Sequence, residues 1–167
     1  MGHSEHKQRS GERRRLLACG VITVSDTRTV ETDTSGRLII DTLTAAGHLV
    51  SRYEIVPDEP ERIVPLVKEV AANCALIILS GGTGIARRDT TFEAVDALLE
   101  KKLPGFGELF RMLSYQEIGA AAMLTRATAG LYGDTIIFST PGSTAAVRLA
   151  LEKLIMPELD HMAWLLE

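Results

Sequence analysis

Two rhythms of apolar residues alternate along the chain. Three short runs, residues 19–25 (CGVITVS), 75–79 (ALIIL) and 135–139 (TIIFS), are nearly continuous in apolar and β-branched residues. That is the pattern of strands covered on both faces. A fourth segment, residues 48–56, alternates well enough for an edge or near-edge strand. Elsewhere apolar residues recur at helical spacing: Leu38, Ile39, Leu43 and Ala46; Ile63, Leu66, Val67 and Val70; Phe106, Leu109, Phe110, Met112 and Leu113; Val147, Leu151, Leu154 and Ile155. Strands alternating with helices predict an α/β fold built on a parallel sheet.

Punctuation residues set the expected boundaries. Asp33, Thr34 and Ser35 offer caps for the first helix and Gly47 a residue to end it. Pro57-Asp58-Glu59-Pro60 precedes the second helix, which the cost of an interior Pro65 predicts to start near Arg62. Thr90 and Glu93 form a T-x-x-E capping box for the third. Leu103-Pro104-Gly105 opens a helix running toward Gly119, and Gly133-Asp134 turns the chain into the strand at 135–139. Pro157 is expected to separate the helix after Ser143 from a final one at 158–166, with Trp164 as a packing anchor. Residues 120–126 are small and ambiguous.

The candidate chemistry sits where strands end. The first run closes on Ser25-Asp26-Thr27-Arg28, the second on Ser80-Gly81-Gly82-Thr83-Gly84, the third on Thr140-Pro141-Gly142-Ser143-Thr144. Ligands of open α/β sheets bind at the carboxyl ends of strands. Glycines let backbone approach a ligand, and amides at a helix start attract phosphate or carboxylate. The two glycine turns, at one edge of one parallel sheet, would face a common crevice. Asp89, beside Arg87 and Arg88, reads as a surface ion-pair partner or as a ligand for a metal held against phosphates; the turn before it favours the metal. For Asp58 and Glu59 the plain reading is capping and dipole compensation, and Ser143 reads as a helix cap.

Composition narrows the classes. The chain has 167 residues, 46% hydrophobic and 24% charged, which suits one globular core. A basic, disordered arm is expected over residues 1–15, where Lys7, Arg9, Arg13, Arg14 and Arg15 face only Glu5 and Glu12, and a single domain over 16–167. His3 and His6 in that arm lack a metal-binding constellation. A net charge of −4 argues against nucleic acid as partner. No apolar run approaches the ~20 residues of a membrane span and no secretory signal is evident, so a cytoplasmic protein is expected. Cys19 and Cys74, inside predicted strands without metal-ligand spacing, read as reduced core thiols.

Several site classes are excluded. Gly81-Gly82-Thr83-Gly84 lacks the lysine of a P-loop, is misplaced for a dinucleotide fingerprint, and no G-x-S-x-G nucleophile is present. The segment from Cys19 to Asp160 instead resembles the MoaB/MogA family of molybdenum-cofactor biosynthesis. The resemblance is carried by Val24-Ser25-Asp26, Asp33-Thr34-Ser35-Gly36, Gly81-Gly82-Thr83-Gly84 with Arg88-Asp89 and Thr91, Pro104-Gly105-Phe106-Gly107-Glu108, and Pro141-Gly142-Ser143. Residues 110–115 with Glu117-Ile118-Gly119 look like the MoaB branch.

That resemblance implies a three-layer α/β sandwich with a mostly parallel central sheet and helices on both faces, assembled as trimers or hexamers. It implies an enzyme, a Mg²⁺-dependent molybdopterin adenylyltransferase, which moves AMP from ATP to the terminal phosphate of molybdopterin and releases pyrophosphate. Asp58 and Asp89 match the family's essential acids and would hold Mg²⁺. Ser25, Asp26, Asp33, Ser35, the glycine turn, Arg88, Pro141, Gly142 and Ser143 would bind substrate. The downstream molybdate-insertion protein is an expected partner; nucleic acid and membrane are not. A non-catalytic molybdopterin-binding scaffold and a nucleotide pyrophosphatase of the same fold are the alternatives. Retention of both acids argues against the first, and the MoaB-type run against the second.

Overall fold

The computed structural model describes residues 15–166. The basic arm expected over residues 1–15 therefore lies, apart from Arg15, outside the described residues. Six strands form one sheet in the order β2-β1-β3-β6-β5-β4. β1 (Ala18–Val24), β2 (Leu49–Val56), β3 (Leu76–Ser80) and β6 (Thr135–Thr140) run parallel. β5 (Thr128–Tyr132) and the two-residue β4 (Lys101–Lys102) are antiparallel additions at one edge.

Side-chain alternation divides the core into two layers. Cys19 and Val21 of β1, Leu76 and Ile78 of β3, and Ile136 and Phe138 of β6 join one cluster with Ile39 and Leu43 of α1 (Thr34–Ala45) and Phe106 and Phe110 of α4 (Pro104–Ile118). The intervening Ile22, Val24, Ile77, Leu79 and Ile137 meet α2 (Pro60–Ala71) and α3 (Thr91–Leu98) on the other face. Helices on both faces of a mostly parallel sheet make the three-layer sandwich that the family resemblance implies. β2, at the edge, is exposed or half-buried at most positions.

Several local expectations need correction. α2 starts at Pro60, so Pro65 lies inside the helix rather than in its first turn. Its ring faces solvent, where the missing N–H costs least. Pro157 divides nothing: α5 (Thr144–Ala150) continues through a π-wound segment (Leu151–Ile155) into α6 (Met156–Leu165). Cys74 lies in the turn before β3, not in a strand, and both cysteines are free and buried. Burial first, and then the neighbouring Cys74, pushes the Cys19 thiol up to about 12. Trp164 is half-buried and stacks on His161. Residues 119–124 form a 3₁₀ turn.

Candidate functional site

The site is assembled from the carboxyl ends of β1, β3 and β6. Gly81 follows β3 with φ +108°, and its N–H donates to Thr140 O at 2.9 Å, so the glycine turn is tied to the end of β6. A Cβ there would collide with the Val24 carbonyl of β1, so only glycine lets three strand ends converge. Gly82, φ +66°, is packed just as tightly against Thr91 and Asp58, and its carbonyl accepts the Thr91 N–H at 3.0 Å. The N–H groups of Gly82, Thr83 and Gly84 donate to nothing among the described residues.

A cavity of about 560 Å³ opens over this turn. Ser25, Gly81, Gly82, Thr83, Gly84, Asp89, Pro141, Gly142 and Ser143 all line it, joined by Arg28, Leu124, Thr125 and Arg126. Nine of the residues singled out from sequence thus share one wall. Asp26 and Arg88 do not; they line a neighbouring open cavity of about 850 Å³ with Glu59, Ser25 and Arg28. There Arg88 grips Asp26 through two hydrogen bonds of 2.9 and 2.8 Å and reaches Glu59 at 3.7 Å. The Arg88 hydrogen bond holds the Asp26 carboxyl below its usual range.

Asp33 and Ser35 act from beneath. Asp33 caps α1 by accepting the Gly36 N–H at 2.9 Å, and also accepts from Arg28 at 3.1 Å and the Tyr53 hydroxyl at 2.7 Å. Burial opposes its ionisation, but these donors together with Thr23 outweigh it and hold its pKa below the usual value. Burial, then the Asp33 carboxylate, raises that of Tyr53. Ser35 Oγ donates to Gly142 O at 2.8 Å, where an Arg28 N–H arrives at 3.0 Å. Ser143 Oγ accepts the Ala146 N–H at 3.2 Å, so it caps its helix as expected.

The T-x-x-E box does not form. Thr90 Oγ1 donates to Asp58 Oδ1 at 2.8 Å instead of capping α3, and Glu93 pairs with Arg126. A buried carboxylate competes for the hydroxyl, and a guanidinium takes the glutamate. Asp58 Oδ1 collects the Thr90 N–H and Thr91 hydroxyl as well, both at 3.1 Å. Its second oxygen, Oδ2, is buried beside Gly82 without a hydrogen-bond partner among the described residues. Asp58 therefore sits behind the glycine turn, whereas Asp89 opens on the cavity and accepts the Ala86 N–H at 3.1 Å.

A metal site made wholly of protein side chains is not present among the described residues, where no group of three or more His, Cys, Asp or Glu converges. Asp89 on the cavity wall, with Asp58 behind the glycine turn keeping one buried oxygen unspent, offers carboxylate oxygens that suit a hard cation taking most of its ligands from water and phosphate. Arg28 and Arg126 are the site residues that sequence reasoning missed. Arg28 stood in a recognised strand-end loop; Arg126 lay in the small, ambiguous stretch, and only its isolation as a cation hinted at a role.

Fold and cavity together define a ligand-binding α/β domain with its site at the strand carboxyl ends, and sequence comparison identifies it. A family described as "Probable molybdopterin binding domain" matches residues 20–161, and the chain belongs to that family. Its place is in molybdenum cofactor biosynthesis, among proteins of the MoaB type. It is 54% identical over 168 residues to Molybdenum cofactor biosynthesis protein B of Bacillus subtilis, covering 97% of this chain and 95% of that one. A crystal structure of Molybdenum cofactor biosynthesis protein B superposes with a TM-score of 0.87 at 51% identity, covering 91% and 96% of the two chains. The tungsten cofactor synthesizing protein MoaB from Pyrococcus furiosus gives 0.79 at 42% identity over 90% and 96%.

Proposed function

We propose that this protein is a molybdopterin adenylyltransferase: it transfers AMP from ATP to the terminal phosphate of molybdopterin and releases pyrophosphate, with Mg²⁺ as cofactor. The observation that carries the reading is the run of unpartnered Gly82, Thr83 and Gly84 N–H groups on the wall of the cavity that Asp89 shares. An oxygen of the molybdopterin phosphate attacks the α-phosphorus of ATP, the new P–O bond forms, and the bond to the β-phosphate breaks. Such a step gathers negative charge, so it needs positioning and fixed donors more than a protein nucleophile. The glycine-turn amides orient phosphate oxygens, and Asp89 from the cavity wall, with Asp58 from behind the turn, would hold the cation. Mg²⁺, when bound, offsets the charge of the polyphosphate. The chain works in the cytoplasm as a trimer or hexamer, and its product passes to the molybdate-insertion protein.

Incubation with molybdopterin, ATP and Mg²⁺ tests this: adenylylated molybdopterin and pyrophosphate appear together. Asp89→Asn removes the turnover and leaves the thermal melt within a few degrees, since that carboxylate accepts one exposed backbone N–H. Binding of both substrates without product by the unmodified protein would return it to the scaffold reading, and pyrophosphate released equally well without molybdopterin would make it a hydrolase.

A further inference from the structure

Two guanidinium groups line the cavity, and they differ in what they have left to give. Arg126 is nearly spent. Its Nε donates to Thr83 O at 2.9 Å, its terminal nitrogens to the Glu93 carboxylate and to Gly84 O at 2.6 Å, and its plane covers the Phe92 ring. Its charge is offset by Glu93, whose carboxyl it holds below the usual range. Arg126 is a strut for the glycine turn.

Arg28 is different. It donates once to Asp33 Oδ1 at 3.1 Å and once to Gly142 O at 3.0 Å, which leaves the rest of its five N–H groups without a partner among the described residues. Its anchor is rigid, because the Asp33 side chain is fully buried and held by two further donors. Its own backbone N–H donates to Ser25 Oγ at 3.1 Å, which fixes the loop as well. Arg28 and Ser25 line both the 560 Å³ and the 850 Å³ cavities. A planar fork fixed by two bonds, with spare donors at the junction of two cavities, has the chemistry of a phosphate clamp.

We propose that Arg28 is a ligand-contacting residue, whose free N–H groups take phosphate oxygens of a polyphosphate where the two cavities meet. The inference rests on the phosphoryl-transfer reading and adds a charged contact that neither the glycine turn nor the acid pair supplies. The competing role is purely structural, a staple for the Pro141-Gly142-Ser143 turn.

Calorimetric titration with inorganic tripolyphosphate and Mg²⁺, over a series of ionic strengths, separates the two. Arg28→Gln weakens binding by about 10- to 100-fold, the range for a lost charge-assisted hydrogen bond, and flattens the ionic-strength dependence. Arg28→Lys restores the steeper dependence with part of the affinity, and serves also if the Gln variant fails to fold. Unchanged affinity in Arg28→Gln overturns the inference. Weakened affinity with an unchanged ionic-strength dependence also overturns it, because the side chain then acts only through the turn. An unmodified protein that binds no tripolyphosphate instead overturns the phosphoryl-transfer reading itself.

Discussion

Asp33 is 2% exposed yet ionised, because four kinds of donor converge on it. Its folded pKa lies below the unfolded value of about 3.9. The stability it contributes is therefore complete above that value and drains away as the pH falls through the lower, folded one. Melting curves of the unmodified protein should fall as the pH drops below about 4, and Asp33→Asn should melt lower at pH 7 with a shallower acid slope. A variant with the parent's acid slope would exclude Asp33 as the cause. Residue roles of this kind were half legible from sequence. Asp33 was named as a cap, and as a substrate ligand by resemblance; its tie through Arg28 to a turn more than a hundred residues away depends on tertiary contact that no local pattern encodes.

At the scale of elements, proline reasoning misplaced two boundaries for one reason. It prices the lost hydrogen bond and not what the helix gains by continuing. α2 keeps Ile63, Val67 and Val70 on the core by beginning at Pro60 and carrying Pro65 on its wet side. Pro65→Ala restores a donor for the Glu61 carbonyl and should raise the urea midpoint; a lower midpoint would mean that proline's restriction of the unfolded chain dominates. In the last helix, Val147, Leu151, Ile155, Leu159 and Ala163 are all buried at a spacing of four. A regular α-helix lets such a repeat drift by about 40° per step. The wider π turn at Leu151–Ile155 takes back part of that drift and keeps both halves on the sheet. β4 and β5 were missed because two lysines, and a strand containing Ala129 and Gly130, carry no apolar alternation.

For the whole molecule, the parallel strands and their order of helices were readable because buried strands and amphipathic helices each impose a period. The crevice was readable because glycine turns mark where a chain leaves a sheet. What a neighbouring copy covers is not written in a period. α4 nonetheless shows where to look: Leu109, Met112, Tyr115 and Ile118 remain exposed along it, beside Met123 at 79%. We assign the contact of the proposed oligomer to this stripe, and on that assignment Met112→Glu with Tyr115→Glu should lower the mass seen by light scattering to that of one chain. An unchanged mass would move the interface elsewhere.

The two thiols offer a way to watch the sandwich come apart. Cys19 is sealed under the layer of α1, α4 and the last helix, whereas Cys74 belongs to the layer of α2 and α3 and borders a surface cavity. They are the chain's two cysteines, so a slow alkylating reagent becomes a pair of clocks, one for each side of the sheet. Under native conditions Cys74 should be marked first, by local opening, and Cys19 only at the rate of global unfolding. Equal rates would mean that both layers loosen together.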